Sequence, residues 1–183
     1  GCIVSTSGFK NNKKIIKIDN SISFLNRFAK FKRENTSARI IAVTGSAGKT
    51  SLKNLIKDLL NNFGKTHSSP KSFNNHLGVP VSLSNLSFED KFGVFEVGMS
   101  RTGEIKNLTK LIKPHIGVIT NIGEAHIENF QSIYGIAKAK SEIIESISEG
   151  GTIILNRDDK FFYYLLKKAN KYKLKIFTFG HHK

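Results

Sequence analysis

The chain has 183 residues, 39% of them hydrophobic, which fits one globular domain with a sizeable core. Its single cysteine, Cys2, excludes an internal disulfide, and no apolar run approaches the roughly 20 residues of a membrane-spanning helix. The net charge of +15 allows a nucleic-acid-binding module as one alternative, but the basic residues are spread along the chain without the interleaved aromatic residues that stack on bases.

The apolar pattern predicts a regular order of elements along the chain. Two short strands joined by a turn at residues 10–13 precede a helix that Ser21 caps and a polar linker at 34–37. From residue 38 onward strands and helices alternate, which predicts an α/β fold with a mostly parallel sheet flanked by helices. Predicted strands or extended segments are 39–44, 65–69, 92–97, 115–120, 152–155 and 174–179, and predicted helices are 49–63, 75–86, 104–113, 133–147 and 158–170.

A loop with two glycines joins the strand at 39–44 to the next helix. Its sequence is Thr44-Gly45-Ser46-Ala47-Gly48-Lys49-Thr50-Ser51. Glycines let a backbone approach phosphates, the helix start offers free N–H groups, Lys49 adds a charge for the β- and γ-phosphates, and the Thr50 hydroxyl can bind Mg²⁺. The loop is shorter than the usual P-loop, because Val43 occupies the place of the first glycine. The flanking strand and helix favour this interpretation over a chance turn.

In parallel sheets, ligand and catalytic sites lie at the carboxyl ends of the strands. Three further polar residues are candidates for such a site. Glu96 closes an apolar strand, so it needs a cation or a partner unless it faces solvent. His126 follows the strand at 115–120; an isolated histidine is otherwise a surface or hydrogen-bonded residue. Lys140 lies on the apolar face of its helix. Either its head reaches solvent or its pKa is lowered and it is available for chemistry.

These pieces, in this order, resemble the central ATPase domain of the Mur ligases. The matching stretches are Val43-Thr44-Gly45-Ser46-Ala47-Gly48-Lys49-Thr50-Ser51, Phe73-Asn74-Asn75-His76-Leu77-Gly78-Val79-Pro80, Phe95-Glu96-Val97-Gly98-Met99 with Gly103-Glu104-Ile105, Thr120-Asn121-Ile122-Gly123-Glu124-Ala125-His126 continuing to Ala137-Lys138-Ala139-Lys140-Ser141-Glu142-Ile143, and Asn156-Arg157-Asp158-Asp159. The resemblance covers residues 38–180 well and 1–37 weakly. We therefore expect residues 1–37 to be the tail of an N-terminal substrate domain with its linker. Residues 38–183 would form the Mur ligase central ATP-binding domain, P-loop NTPase-like in fold.

The resemblance implies ATP and Mg²⁺ as cofactors. The loop 45–51 would hold the ATP phosphates, and Thr50 with Glu96 would bind one Mg²⁺. His126 and Lys140 would serve a second Mg²⁺, with Lys140 carbamylated. Burial agrees with this role, since CO₂ adds only to a neutral amine and the resulting carbamate is a hard oxygen donor.

The resemblance also assigns the substrate side of the site. Asn74 and Asn75 would lie near the peptide end of the UDP-linked substrate, and Asn156 near the nucleotide. Lys49, with the metal ions, would neutralise charge on the transferring phosphoryl group. The Asn-Asn-x-x-Gly-Val-Pro stretch favours the branch of the family that joins D-Ala-D-Ala to UDP-N-acetylmuramoyl-tripeptide through an acyl phosphate.

Several expectations concern the protein as a whole. We expect a cytoplasmic monomer that binds neither nucleic acid nor a membrane. The chain does not begin with Met, and the C-terminal domain of the Mur ligases has no counterpart in it. We therefore expect a piece of a longer enzyme that binds nucleotide but does not turn over alone. The alternatives are a sister amide ligase, such as a folylpolyglutamate synthase or another Mur ligase, and a P-loop kinase or motor NTPase.

Overall fold

A computed structural model describes residues 3–7 and 14–181. Strands β1 (Ile3–Ser5) and β2 (Ile15–Lys17) pair in parallel as a two-stranded sheet, and the turn predicted at 10–13 lies outside the described residues. Helix α1 (Ser21–Glu34) follows. Its N-cap is Asn20, whose side-chain oxygen accepts the Ser23 N–H at 2.8 Å. The prediction of Ser21 as the cap was wrong by one residue, because asparagine caps as well as serine does.

The other strands form one sheet. They are β3 (Arg39–Thr44), β4 (Thr66–Ser68), β5 (Phe92–Glu96), β6 (Ile116–Ile119), β7 (Thr152–Asn156) and β8 (Lys175–Phe179). The helices between them are α2 (Lys49–Leu60), α3 (Gly78–Ser84), α4 (Glu104–Ile112), α5 (Ile133–Lys140) and α6 (Phe162–Lys171). All neighbouring strands in this sheet are parallel, in the order β4-β5-β3-β6-β7-β8, which confirms the predicted α/β architecture. No helix within residues 3–7 and 14–181 combines the length and hydrophobicity that crossing a membrane requires.

The strand order places a crevice at β3. This strand lies between β5 on one side and β6 on the other, and the chain visits the β5 side before it crosses to β6. Loops that leave neighbouring strands in opposite directions open a gap at the carboxyl edge of a parallel sheet. The loops after β3, β5 and β6 therefore surround one candidate site.

Alternation along β3 gives the sheet two apolar faces. Ile41 and Val43 face α2, while Ile40 and Ala42 face the main core, to which α3, α4, α5 and α6 contribute. Each fully buried isoleucine contributes about 1.5–3 kcal/mol through removal of apolar surface from water. Helix α2 thus packs directly on the strand that precedes it. This packing fixes both ends of the short loop between them.

Helix α1 packs on α3 and α4 through the fully buried Ala29. The Arg33 guanidinium also donates to the carbonyls of Ile112 and Lys113, both at 2.6 Å, at the C-terminal end of α4. These bonds satisfy carbonyls that the helix itself leaves free. The division of the chain between residues 37 and 38 stays a prediction.

The predicted helix at 133–147 was wrong in its second half. Helix α5 ends at Lys140, and residues Ser141–Ser146 continue as a 3₁₀ helix. The Ser141 hydroxyl donates to the Lys138 carbonyl at 2.7 Å, the kind of local bond that competes with α-helical pairing. Lys140 is consequently the last residue of an α-helix and Glu142 lies in the tighter turn that follows.

Three other helix ends differ from the predictions by three residues or more. Helix α2 ends at Leu60 instead of residue 63, and α3 begins at Gly78 instead of residue 75. The reason at α3 is Asn75, whose side-chain oxygen accepts the N–H of Gly78 at 2.8 Å and so caps the helix from outside. Helix α6 begins at Phe162 instead of residue 158. The reason is a turn before the helix, in which the Asp159 side-chain oxygen accepts the N–H of Phe161 at 2.8 Å.

Candidate active site

The loop after β3 leaves a helix start open to an anion. Gly48 has a left-handed backbone (φ 78°), and no side chain in the described part of the chain caps α2. The first bond within the helix runs from the Leu52 N–H to the Gly48 carbonyl at 3.0 Å, so the N–H groups of residues 49–51 have no partner in the helix. Together with the positive end of the helix dipole, these groups suit phosphate oxygens.

The segment after β6 holds this loop in place. The Ser46 hydroxyl donates to the Gly123 carbonyl at 2.9 Å and accepts the Gly123 N–H at 2.8 Å. The Thr120 hydroxyl donates to the Ala47 carbonyl at 2.6 Å, and the Asn121 side-chain oxygen accepts the Ala47 N–H at 2.9 Å. The loop conformation is therefore defined by protein contacts on both sides of Ala47.

Gly45 also meets this segment directly. Its φ is 153°, and a Cβ built on it would overlap the side chain of Thr120. Sequence reasoning assigned this glycine to ligand approach alone. The structure adds that the neighbouring strand end leaves no space for any side chain at this position.

Two lysines converge on the loop. Lys140 is only 2% exposed, and its Nζ donates to the Gly45 carbonyl at 3.0 Å; the Nζ of Lys49 donates to the same oxygen at 2.9 Å. The alternative in which the head of Lys140 reaches solvent was wrong. Burial, with a contribution from the charge of Lys49, lowers the pKa of Lys140 from 10.5 to about 8. More of its amine is thus neutral near neutral pH than for an exposed lysine.

Glu96 joins the loop after β3, residues 44–51, to a second loop. This carboxylate is 1% exposed, so the alternative of a solvent-facing glutamate was wrong. Its Oε2 accepts from the Thr50 hydroxyl at 2.7 Å, and its Oε1 accepts from the Asn74 amide at 2.8 Å. Three side chains from three separate segments thus form one continuous hydrogen-bonded chain.

A cleft of about 470 Å³ lies beside this chain, within the range of small-molecule sites. It is lined by Lys49, Asn74, Asn75, His76, Gly98, Met99, Ser100, Glu104, Asn107, Leu108, His126 and Lys140. His126 is exposed and has a left-handed backbone (φ 66°). The structure therefore brings five predicted site residues to one cleft: Lys49, Asn74, Asn75, His126 and Lys140.

Two predicted site residues have structural contacts of their own. Asn75 caps α3, as described above, while it also lines the cleft. Asn156 does not line the cleft; its amide donates to the Thr120 carbonyl at 3.1 Å, and its oxygen accepts the Asp158 N–H at 3.0 Å. It joins the end of β7 to the end of β6. Its role near the nucleotide stays a prediction.

The donors around Thr50 fit a magnesium ion carried by a nucleotide. The described residues contain no group of three or more His, Cys, Asp or Glu side chains that could hold a metal ion. Magnesium in nucleotide sites takes only one or two protein oxygens and completes its shell with phosphates and water. The Thr50 hydroxyl and the Glu96 carboxylate are two such oxygens, next to the open start of α2.

Glu142 is a residue that the sequence reasoning missed. Its carboxylate is buried and accepts the N–H groups of Gly103 at 2.8 Å and Lys106 at 3.0 Å. It thereby caps α4, which carries Glu104 and Asn107 into the cleft. Only the glycine before Glu104, which has no side chain to accept an N–H, could have signalled a cap from elsewhere.

Replacing Glu142 with alanine is expected to lower the free energy of unfolding by about 1–3 kcal/mol, because two buried N–H groups lose a charged acceptor. Urea denaturation of the variant beside wild type measures this change. Glu149→Ala removes an exposed carboxylate from the same region and is the control. Equal stabilities of the two variants would contradict the capping role.

The lowered pKa of Lys140 predicts a pH-dependent stability. Above about pH 8 the folded protein releases this proton, while the unfolded chain keeps it up to about 10.5, so the unfolded state binds more protons and stability rises with pH. Relative to Lys140→Met, the wild type should gain up to about 1.4 kcal/mol per pH unit above that point. Urea unfolding of both proteins from about pH 7.5 to about pH 9.5, in CO₂-free buffer with EDTA, measures the difference. A difference independent of pH would contradict the prediction.

A parallel sheet with a Gly-Lys-Thr loop at its central strand defines an α/β domain of the P-loop type. The sequence model of the Mur ligase middle domain matches residues 43–183. The chain belongs to the Mur ligase middle domain family, as its motifs predicted.

Individual relatives agree with this membership. The chain is 39% identical over 181 residues to the UDP-N-acetylmuramoyl-tripeptide–D-alanyl-D-alanine ligase of Rickettsia prowazekii, with 98% of the chain and 40% of that protein covered. The protein of the same name from Bacillus subtilis is 37% identical over 171 residues, with 93% of the chain and 36% of that protein covered. The chain thus spans about two fifths of the length of these relatives.

Solved structures show the same likeness. A crystal structure of MurF from Acinetobacter baumannii has a TM-score of 0.88 at 32% identity, covering 99% of the chain and 40% of that protein. The MurF ligase of Thermotoga maritima in complex with ADP has a TM-score of 0.84 at 30% identity, covering 100% of the chain and 42% of that protein.

Proposed function

We propose that this chain is the central ATP-binding domain of a ligase that adds D-Ala-D-Ala to UDP-N-acetylmuramoyl-tripeptide during synthesis of the peptidoglycan precursor. The observation that carries the proposal is the hydrogen-bonded chain from Thr50 through Glu96 to Asn74, which connects the nucleotide loop to the wall of the cleft. A ligase that transfers a phosphoryl group from ATP to a substrate carboxylate needs this proximity. The names of the relatives supply the substrates.

In this proposal the N–H groups at the start of α2 bind the phosphates of ATP. Lys49 would neutralise charge on the transferred phosphoryl group, and Thr50 and Glu96 would hold the accompanying Mg²⁺. ATP, when bound, would supply the phosphoryl group that turns the substrate carboxylate into an acyl phosphate, with ADP as the leaving group. The amine of D-Ala-D-Ala would then attack the acyl carbon, form the amide bond with loss of a proton, and displace inorganic phosphate. Asn74 and Asn75 would orient the peptide end of the UDP-linked substrate, and Asn156 would lie near the nucleotide.

Lys140 would act as a carbamate. Its neutral amine forms an N–C bond with CO₂ and releases one proton, which converts a buried cation into a carboxylate-like group with hard oxygen donors. With His126, which shares the cleft, this group would hold a second Mg²⁺. The burial of Lys140 beside Lys49 supports the proposal, because both features favour the neutral amine.

We further propose that the protein acts as a monomer in the cytoplasm, where its nucleotide-linked substrate is made. The function is tested by incubating the full-length protein that carries this domain with ATP, Mg²⁺, UDP-N-acetylmuramoyl-tripeptide and D-Ala-D-Ala. Formation of the pentapeptide product with release of phosphate is expected. Product only with a different amino-acid acceptor would assign a sister ligase. Release of ADP without any carboxylate substrate would assign a kinase or an NTPase.

A further inference from the structure

Helix α2 carries a buried cation that the proposed chemistry does not use. Lys53 lies one turn after Thr50 and is only 1% exposed. A lysine is almost never fully buried unless its ammonium has partners. The Nζ of Lys53 donates to the backbone carbonyls of Ser69 at 2.7 Å and Lys71 at 2.6 Å. Burial lowers the pKa of Lys53, and the nearby negative charge of Glu96 opposes that shift.

Both carbonyls belong to one segment, residues 69–76, which we call the asparagine loop. The loop follows β4 and its first residue is bonded to β5: the Ser69 N–H donates to the Val94 carbonyl at 3.0 Å, and the Ser69 hydroxyl accepts the Glu96 N–H at 3.1 Å. The next turn contains Lys71 in the left-handed region (φ 45°), which costs free energy for a residue with a side chain. Lys53 is bonded to Ser69, just before this turn, and to Lys71 within it.

The far end of the asparagine loop forms part of the cleft. Asn74, Asn75 and His76 line it, and Asn74 also bonds Glu96 and accepts the Gly98 N–H at 2.8 Å through its carbonyl. Without the ammonium of Lys53, the carbonyls of Ser69 and Lys71 would lose the donor that they share; the bond to Ser69 is buried and the bond to Lys71 is partly buried. The left-handed turn would then lose its restraint, while the contacts of Glu96 with Thr50 would remain.

We propose that Lys53 is a positioning residue that ties the asparagine loop to the nucleotide-binding helix and so sets the affinity of the cleft for the carboxylate substrate. The proposal rests on the proposed function only for the identity of that substrate. Lys53 does not line the cleft; it acts through the backbone of the loop that presents Asn74 and Asn75.

The test compares Lys53→Met with wild type in the full-length protein. Methionine keeps most of the buried volume and removes the three N–H donors. The KM for UDP-N-acetylmuramoyl-tripeptide should rise about tenfold or more, while the KM for ATP changes less than about threefold. Hydrogen exchange should become faster at the amides of Phe73 and Asn74 and stay unchanged in α2. Lys57→Met, which removes a half-buried lysine from the next turn of α2, is the matched control.

Three results would overturn the proposal: an equal rise of both KM values, faster exchange throughout α2, or the same loss in Lys57→Met. Each would mean that Lys53 only stabilises its own helix. If the wild type forms no ligation product, the proposed function fails, and the exchange comparison alone decides the role of Lys53. Faster exchange confined to the asparagine loop then supports it, and unchanged exchange there refutes it.

Discussion

Replacing Lys140 with alanine is expected to slow ATP-dependent ligation by about 100-fold or more, because in the proposed function the site loses the carbamate that would hold a second Mg²⁺. Lys140 is buried against the Gly45 carbonyl and is the one residue of α5 that lines the cleft. A short-chain carboxylate such as propionate should restore part of the activity, since it can occupy the space of the carbamate. Initial rates with and without added propionate measure both effects.

Two variants separate the carbamate role from simple loss of charge. Lys138→Ala removes an exposed lysine from the same helix and should retain full activity. Lys140→Arg keeps a positive charge but cannot form a carbamate, so it should be inactive and should not respond to propionate. If Lys140→Ala loses nucleotide affinity by the same factor as activity, and carboxylates do not help, then Lys140 merely supports the loop through the Gly45 carbonyl.

Glu96→Gln is expected to weaken Mg²⁺-dependent nucleotide binding by about 10- to 100-fold and to reduce ligation at least as much. The glutamine amide can satisfy only one of the two donors that now meet the carboxylate, Thr50 and Asn74, and it carries no negative charge for the metal ion. Titration of the protein with ADP, in the presence of Mg²⁺ and again in EDTA, measures the change. The loss should be confined to the titration with Mg²⁺.

The control for this variant is Glu104→Gln, which makes the same chemical change at another carboxylate that lines the cleft. Glu104 accepts the N–H groups of Ser100 and Arg101 and has no contact with Thr50 among the described residues. Its effect on nucleotide binding with Mg²⁺ should be less than about threefold. An equal loss in both variants, or an equal loss in EDTA, would argue that Glu96 acts on the fold instead of on the metal ion.

The parts of the fold that follow from local patterns were predictable. Apolar runs of strand length alternating with helical spacing gave the parallel sheet, and the rule for strand ends placed the loop 44–51, Glu96 and His126 at one edge. Lys140 could be found because a cation on an otherwise apolar helix face is an exception that requires a cause. In each case the signal lies within a few neighbouring residues.

The parts that depend on distant segments were not predictable. In α2, the side-chain types do not indicate which positions are buried. Leu55 and Leu59 are each 56% exposed, whereas the charged Lys53 is buried. Its partners are carbonyls 16 and 18 residues away, and a backbone carbonyl leaves no trace in the sequence. The same holds for Glu142, whose acceptor role depends on N–H groups more than 30 residues earlier in the chain. Backbone groups are common to all residues, so only the tertiary structure shows which of them need a side-chain partner.

The contacts that hold residues 46 and 47 against residues 120–123 have a consequence for the kinetics of nucleotide binding. Because folding itself fixes this loop, the conformational entropy that a flexible loop would lose on meeting a phosphate has already been lost. Association should therefore follow a single concentration-dependent step without a slow loop-closure phase, at a rate that falls with added salt as the attraction between the basic protein and the anionic nucleotide is screened.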